Sequence, residues 1–138
     1  IRRVGLGPER GDIDIIAVAP SGVFVIDPQK YEGRKVRGNG TGDTFVIDGR
    51  LRTGLTVSMR RHLEAVAIAV SEGPMPEVAV SGAYCFIGAD LPLRHLTVDD
   101  VPALGLRGTV RMLKQSGPLD AGQRTMLRAH LGRLFPVA

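Results

Sequence analysis

Two apolar runs separated by a turn signal dominate the first part of the chain. Residues 13–19 and 23–27 are rich in Val, Ile and Phe, a composition typical of buried or half-buried strands. Pro20-Ser21-Gly22 between them favours a tight turn, because Pro presets φ and Gly accepts a positive φ. The pattern predicts a β-hairpin, with Pro28 ending or bending its second strand because proline cannot donate to a ladder.

Helical periodicity first appears over Thr56–Ser71, and Glu72-Gly73-Pro74 then stops the predicted helix. Its apolar stripe consists of Met59, Leu63, Val66, Ala67 and Val70. A second long helix is predicted over Ala121–Phe135, where Asp120 and Gln123 match the capping-box pattern.

The remaining segments predict shorter elements. Residues 1–10 are expected to be a loop or extended chain, and a short helix is expected over Thr109–Gln115. Strands are predicted over Thr44–Ile47, Glu77–Ile87, Leu96–Val98 and Val101–Leu104. The order of strands, helix, strand and further helices predicts a small mixed α/β sandwich.

Composition limits the classes of protein to which the chain can belong. Its 138 residues suit one domain, residues 1–138, and 43% apolar residues without Trp predict an aliphatic core. No apolar run approaches the roughly 20 residues of a membrane helix, and no secretory signal pattern opens the chain. Cys85 is the only cysteine, which excludes an intrachain disulfide and a cysteine-based zinc cluster and predicts a small core residue. These features predict a cytoplasmic protein.

The formal net charge of +4 is concentrated in the first half of the chain. Residues 1–61 contain 11 Lys or Arg and 7 Asp or Glu, whereas residues 62–138 contain 7 of each kind. A basic surface there would attract a polyanion such as nucleic acid, with Arg34, Lys35, Arg60 and Arg61 as candidate contacts. An ordinary solvated surface explains the same charge, so that alternative stays open.

Two acids lie at the same end of the predicted hairpin, Asp14 on the first strand and Asp27 on the second. Carboxylates are costly inside an apolar ribbon, and Mg²⁺ and Mn²⁺ prefer oxygen ligands. The pair therefore predicts a Mg²⁺ or Mn²⁺ site, although each acid could instead bind the backbone of a turn. A bulge at Gly22 would shift the cross-strand pairing by one residue, so the register stays open.

Several segments of the chain resemble the nuclease-related (NERD) domain family, especially its actinobacterial members. They are the hairpin 13–27 with Tyr31 and Gly33, the segment 84–93, and Gly117-Pro118-Leu119-Asp120 with the final helix. These segments follow the order and spacing of the family, and the resemblance covers nearly the whole length of the chain. The resemblance implies a restriction-endonuclease-like fold with a central mixed sheet, related to PD-(D/E)xK nucleases, and Mg²⁺-dependent cleavage of DNA phosphodiesters.

The catalytic motif implied by this resemblance is altered here. Asp14 matches the first metal-binding acid and Asp27 the acid of the D/E-x-K element, but Gln29 stands in place of the lysine. Residues two apart on a strand share a face, so Gln29 would face the site and Lys30 would point away. A kink at Pro28 could turn Lys30 inward, and either side chain would then position the attacking water.

The sequence allows two possible roles for each of several other side chains. His62, where the resemblance implies Gln, could approach a phosphate or be a structural histidine. Lys35 and Arg61 could replace the missing lysine or be surface charges. Glu9 could replace the Glu of an upstream helix that this chain is expected to lack, or be solvated. Tyr31 could line the cleft or pack on the sheet.

Three functions follow from this sequence. The first is a metal-dependent endodeoxyribonuclease that grips the DNA backbone without reading its sequence. The second is a nuclease-like module that binds nucleic acid or a partner without hydrolysis. The third is a purely structural or interaction domain.

Overall fold

A computed structural model describes residues 4–5 and 12–136, and within them it contains ten strands and three helices. The strands are β1 (Val4–Gly5), β2 (Asp12–Ile13), β3 (Ile15–Ala19), β4 (Gly22–Lys30), β5 (Val36–Gly38), β6 (Phe45–Ile47), β7 (Arg50–Arg52), β8 (Val80–Ile87), β9 (Leu96–Val98) and β10 (Val101–Leu104). The helices are α1 (Thr53–Ser71), α2 (Leu106–Leu113) and α3 (Ala121–Leu134). The chain is therefore a mixed α/β protein, which confirms the predicted fold class.

The central sheet has five strands in the order β3-β4-β8-β10-β9. Its outer pairs, β3–β4 and β10–β9, are antiparallel, whereas β4–β8 and β8–β10 are parallel. Parallel neighbours need a long crossover, and α1 supplies the helix of the connection between β4 and β8. The antiparallel sheet β5-β6-β7 belongs to the same crossover, and β1 pairs with β2 in a separate ribbon.

Both faces of the central sheet are apolar and covered by helices. On one face, residues of α1 and α3 join a core with Val23 of β4 and with Tyr84 and Phe86 of β8. On the other face, residues of α2 pack near Ile26 of β4 and Cys85 of β8. Cys85 is buried and has a free thiol, which confirms its prediction as a small core residue. None of the described helices combines the length and the apolar character needed to cross a membrane.

The helix and strand predictions hold best where local signals are strong. The capping box of α3 is confirmed: the Gln123 N–H donates to Asp120 Oδ1 at 2.7 Å, and the Asp120 N–H donates to Gln123 Oε1 at 2.9 Å. The strands β9 and β10 have the predicted bounds, whereas α1 and α2 each begin three residues earlier than predicted. Residues 1–10 contain the short strand β1, and the rest of that segment lies outside the described residues.

The prediction that Pro28 ends the second hairpin strand is wrong, because β4 continues through it to Lys30. The alternative, a bend at Pro28, stays a prediction. The Val23 N–H donates to the Ala79 carbonyl at 2.9 Å on the β8 side, so the nitrogen of residue 28 belongs to the opposite, β3 side. The β3 ladder reaches no further along β4 than the pair Ile15–Ile26. The proline therefore removes no ladder hydrogen bond.

Candidate functional site

The register of the hairpin brings the two predicted metal ligands together. β3 and β4 pair without a bulge from the turn to Ile15 with Ile26, which settles the register that the sequence left open. Asp14 lies one residue beyond the last pair of this ladder and outside the strands, and Asp27 follows Ile26 on β4. The Asp14 carboxylate raises the pKa of Asp27, so the two acids are within electrostatic reach of each other at the open end of the hairpin.

Gly22 holds the hairpin against the next strand of the sheet. Its φ of +153° is one that other residues rarely adopt, and a Cβ there would lie 2.7 Å from the Ala79 carbonyl oxygen. Glycine is thus required for both the turn and the approach to β8. The position of the two acids depends on this contact, since it fixes where β4 begins.

Asp27 is a half-buried carboxylate whose pKa is raised by its surroundings. Burial raises the pKa of Asp27 above its ordinary value, the Gln29 hydrogen bond opposes the rise, the Asp14 carboxylate adds to it, and His62 opposes it. The Gln29 side chain donates from Nε2 to Asp27 Oδ1 at 2.9 Å. Perturbed carboxylates of this kind are concentrated at binding and catalytic sites. The electrostatics therefore group four of the predicted residues: Asp14, Asp27, Gln29 and His62.

Tyr84 lies beside Asp27 on the neighbouring strand β8 of the central sheet. It pairs with Asp27 in the parallel register of β4 and β8, and its buried hydroxyl donates to the Leu55 carbonyl at 3.3 Å. Burial raises the pKa of Tyr84, and the Asp27 carboxylate raises it further. Tyr84 is not among the site residues predicted from the sequence, which places it in a predicted strand. Its neighbour relation to Asp27 depends on the strand register, which no local signal encodes.

His62 lies on α1 and is half-buried on the side of the helix that faces the acids. Its interaction with Asp27 lowers the pKa of that carboxyl, so the two groups are within electrostatic reach. The sequence left open whether His62 approaches a substrate or is structural. The structure places it beside the carboxylates, where a positive or hydrogen-bonding group can act.

Lys30 is separated from this cluster by strand alternation. The ladder of β4 with β8 is unbroken from Val23 with Val80 to Lys30 with Ile87, so no kink at Pro28 turns Lys30 around. Gln29 shares the face of Asp27, and Lys30 lies on the other face and is exposed. The structure therefore brings Gln29, and not Lys30, to the carboxylates.

Of the four predicted nucleic-acid contacts, two make ion pairs. Arg60 binds Asp99 with two hydrogen bonds, from Nε at 2.6 Å and from Nη2 at 2.9 Å, and this guanidinium lowers the pKa of Asp99. Arg34 lies 3.1 Å from Asp48. Lys35 and Arg61 have exposed side chains. The charges of Arg60 and Arg34 are thus partly compensated within the protein.

A basic groove of about 690 Å³ starts at the residue that follows Gln29. We call it the basic groove, and its polar lining includes Lys30, Tyr31, Arg34, Asp48, Arg50 and Arg52. Tyr31 packs on the sheet, which is one of its two predicted roles: its ring centroid lies 6.1 Å from that of Phe86. Tyr31 also lines the basic groove. Arg50 and Arg52 were not predicted as contacts, since an exposed three-residue strand leaves no clear sequence pattern.

The carboxylate pair suits a divalent cation that keeps much of its hydration. Among the described residues, no group of three or more His, Cys, Asp or Glu side chains is arranged to hold a metal ion. Mg²⁺ is commonly held by one or two carboxylates, with water and substrate phosphate as its other ligands. Asp14 and Asp27 fit that requirement. Glu9, the predicted third acid, lies outside the described residues.

Comparisons with known proteins leave the family of this chain open. No protein-family model, no curated protein and no solved structure matches the chain. The resemblance to nuclease-related domains therefore rests on the residues of the chain alone.

Proposed function

We propose that the chain is a nuclease-related domain that binds Mg²⁺ or Mn²⁺ through Asp14 and Asp27 and hydrolyses nucleic-acid phosphodiesters. The observation that carries the proposal is the electrostatic interaction of these two carboxylates at the open end of the hairpin, with Asp27 half-buried and its pKa raised. An ionised carboxylate is destabilised in such a place unless a cation neutralises it. The resemblance of the hairpin to nuclease-related domains supplies the reaction class.

Each residue of the site has a distinct part in this proposal. When bound, the cation would polarise the scissile phosphate and lower the pKa of the attacking water. Gln29 already donates from Nε2 to Asp27, which leaves its carbonyl oxygen available to orient a water. His62 would supply the hydrogen-bond donor or positive charge that the lysine supplies in the family.

A second candidate function is a binding module that has lost hydrolysis. It is favoured by one observation: the position that the family fills with lysine holds Gln29, and the nearby Lys30 lies on the opposite face of β4. A neutral amide can position a water or a phosphate oxygen, but it cannot stabilise the negative charge of the transition state as an ammonium does. Metal binding is expected under both functions, and cleavage under only the first.

Metal binding is tested by calorimetric titration of the metal-free protein with Mn²⁺ and with Mg²⁺. The wild type is expected to bind, and Asp27→Asn is expected to bind at least tenfold more weakly because a ligand is removed. Asp100→Asn, at an exposed turn residue with φ +62°, is the matched control and should bind as the wild type does. Identical titrations for wild type and Asp27→Asn would overturn the proposed metal site.

Cleavage of labelled DNA and RNA in Mn²⁺ then separates the two functions. Wild-type cleavage that disappears in Asp27→Asn supports the enzyme. If the wild type does not cleave and Gln29→Lys does, the result supports the second function, a binding module that has lost hydrolysis. Gln115→Lys adds the same charge at an exposed position beyond α2 and should change nothing.

A further inference from the structure

The basic groove lies next to the carboxylate site along the same strand. Asp27 and Gln29 lie near the end of β4, and Lys30 and Tyr31 continue directly into the groove. Tyr31 lines the groove and packs on Phe86, on the face of the sheet that Asp27 shares, whereas Lys30 lines the groove from the other face of β4. We infer that this groove binds a single-stranded segment of nucleic acid and leads it to the carboxylates. The choice of ligand class rests on the proposed function.

The charges of the groove favour an anionic polymer. Within the described part of the chain, Arg34 is paired with Asp48, whereas no ion pair joins Lys30, Arg50 or Arg52 to an acid. These three cations face one uncompensated acid, Glu32, in the lining. Exposed, unpaired cations along a groove are available to replace the counterions of a phosphate backbone.

The size of the groove favours a single strand over a duplex. A volume of about 690 Å³ lies within the range of small-ligand pockets, about 300–1,000 Å³. A duplex is stiff, with a persistence length of about 50 nm, so it does not bend into a concavity of this size. A flexible strand can place a few nucleotides in it.

Tyr31 supplies the aromatic surface that binding of unpaired bases requires. Its ring is half-buried and is braced by Phe86 at a ring-centroid distance of 6.1 Å with an interplanar angle of 41°. The rest of the ring lines the groove beside the cations. Basic grooves with an aromatic side chain on which a base can stack are typical of single-strand binding.

The inference is tested by fluorescence anisotropy in EDTA with the 138-residue chain. The probes are a labelled single-stranded 12-mer DNA of mixed sequence and the same 12-mer annealed to its complement. The single strand is expected to bind at least tenfold more tightly than the duplex. The double variant Arg50→Ala/Arg52→Ala should weaken single-strand binding at least tenfold and reduce the salt slope by about 0.7 for each phosphate that is no longer neutralised.

The control for this variant is Arg94→Ala/Arg133→Ala, which removes the same charge at two exposed positions outside the groove and should stay within twofold of the wild type. Tyr31→Phe should retain single-strand binding, and Tyr31→Ala should weaken it at least fivefold. Three results would overturn the inference. They are duplex binding that equals or exceeds single-strand binding, no binding of either probe, and equal effects of the two arginine double variants.

The same assay keeps this inference separate from the proposed hydrolysis. Asp100→Asn, at an exposed turn residue outside both the groove and the proposed metal site, should bind the single strand as the wild type does. If the groove binds the single strand but no metal-dependent cleavage occurs, the inference is supported and the proposed nuclease activity is contradicted. If cleavage occurs but does not depend on Arg50 and Arg52, the nuclease activity is supported and the inference is contradicted.

Discussion

The backbone N–H of Leu119 donates to the carbonyl oxygen of Pro20 at 2.9 Å. This hydrogen bond joins the segment before α3 to the turn of the hairpin that carries the two acids. Gly117 lies so close to the same turn that a Cβ there would be 2.3 Å from the Ser21 Cα. Two segments far apart in sequence, both of which resemble nuclease-related domains, therefore touch each other directly.

Gly117→Ala is expected to destabilise the protein by about 1–3 kcal/mol, because the added methyl group meets backbone atoms that cannot move aside. Gly132→Ala is the matched control: it lies inside α3, and nothing lies within 4 Å of its added Cβ. That control should stabilise the protein by roughly 0.5–1 kcal/mol. Urea denaturation of both variants measures the difference, and equal midpoints would contradict the close approach.

Asp27→Asn is expected to stabilise the metal-free protein at neutral pH. Burial raises the pKa of Asp27 above its ordinary value of 3.8, so the folded state binds its proton more tightly than the unfolded state does. The free energy of unfolding of the wild type therefore falls as the pH rises from 3.8 through the folded-state pKa, and is level above it. The Asn side chain does not ionise, so the variant is expected to be more stable than the wild type at neutral pH.

Thermal unfolding from about pH 3 to pH 8 in EDTA measures this gain. The stability difference between Asp27→Asn and the wild type should vanish at the acid end, where Asp27 is protonated in both states, and grow toward neutral pH. Asp100→Asn should show no such growth, because its side chain is exposed. A constant difference across the range would contradict the raised pKa.

Thr44→Val is expected to stabilise the protein by about 1 kcal/mol. Thr44 is buried, and its Oγ1 makes no hydrogen bond within the described residues. Valine has the same shape without the unpaired polar atom, so the substitution removes a desolvation penalty. Thr109→Val is the control: Thr109 is equally buried, but its Oγ1 donates to the Gly105 carbonyl at 2.9 Å. In denaturant unfolding we expect Thr44→Val to raise the free energy of unfolding and Thr109→Val to lower it. Changes of the same sign in both variants would contradict this difference.

Asp120→Ala is expected to destabilise the protein by about 1 kcal/mol, because it removes the carboxylate that caps the Gln123 N–H at the start of α3. Gln115→Ala, at an exposed position outside the helices, should have little effect. Urea midpoints with unchanged slopes provide the measurement. An unchanged midpoint in Asp120→Ala would mean that α3 is held by its packing alone.

The parts of the fold that sequence patterns predict are those with local causes. The hairpin follows from Pro20-Ser21-Gly22 between apolar runs, and α3 follows from its capping box and apolar stripe. The effect of Pro28 could not be read in this way. Whether its missing N–H matters depends on where the neighbouring strand ends, which is a property of the folded sheet.

The candidate site also combines features with local causes and features that depend on tertiary packing. Asp14 and Asp27 are predictable as neighbours because a hairpin relates them, and strand alternation alone separates Gln29 from Lys30. The approach of His62 to Asp27 and the pairing of Arg60 with Asp99 join residues more than 30 positions apart. Interactions of that kind are decided by the packing of α1 on the sheet, so composition and spacing do not encode them.

The position of Pro28 also affects how two copies of this protein can meet. Among residues 4–5 and 12–136, no strand pairs with β4 beyond Ile26 on the β3 side, and such a border can recruit a strand from another molecule. Proline interrupts the row of donors on that border, which blocks zipper-like self-association. The end of the hairpin is thereby protected against edge-to-edge aggregation.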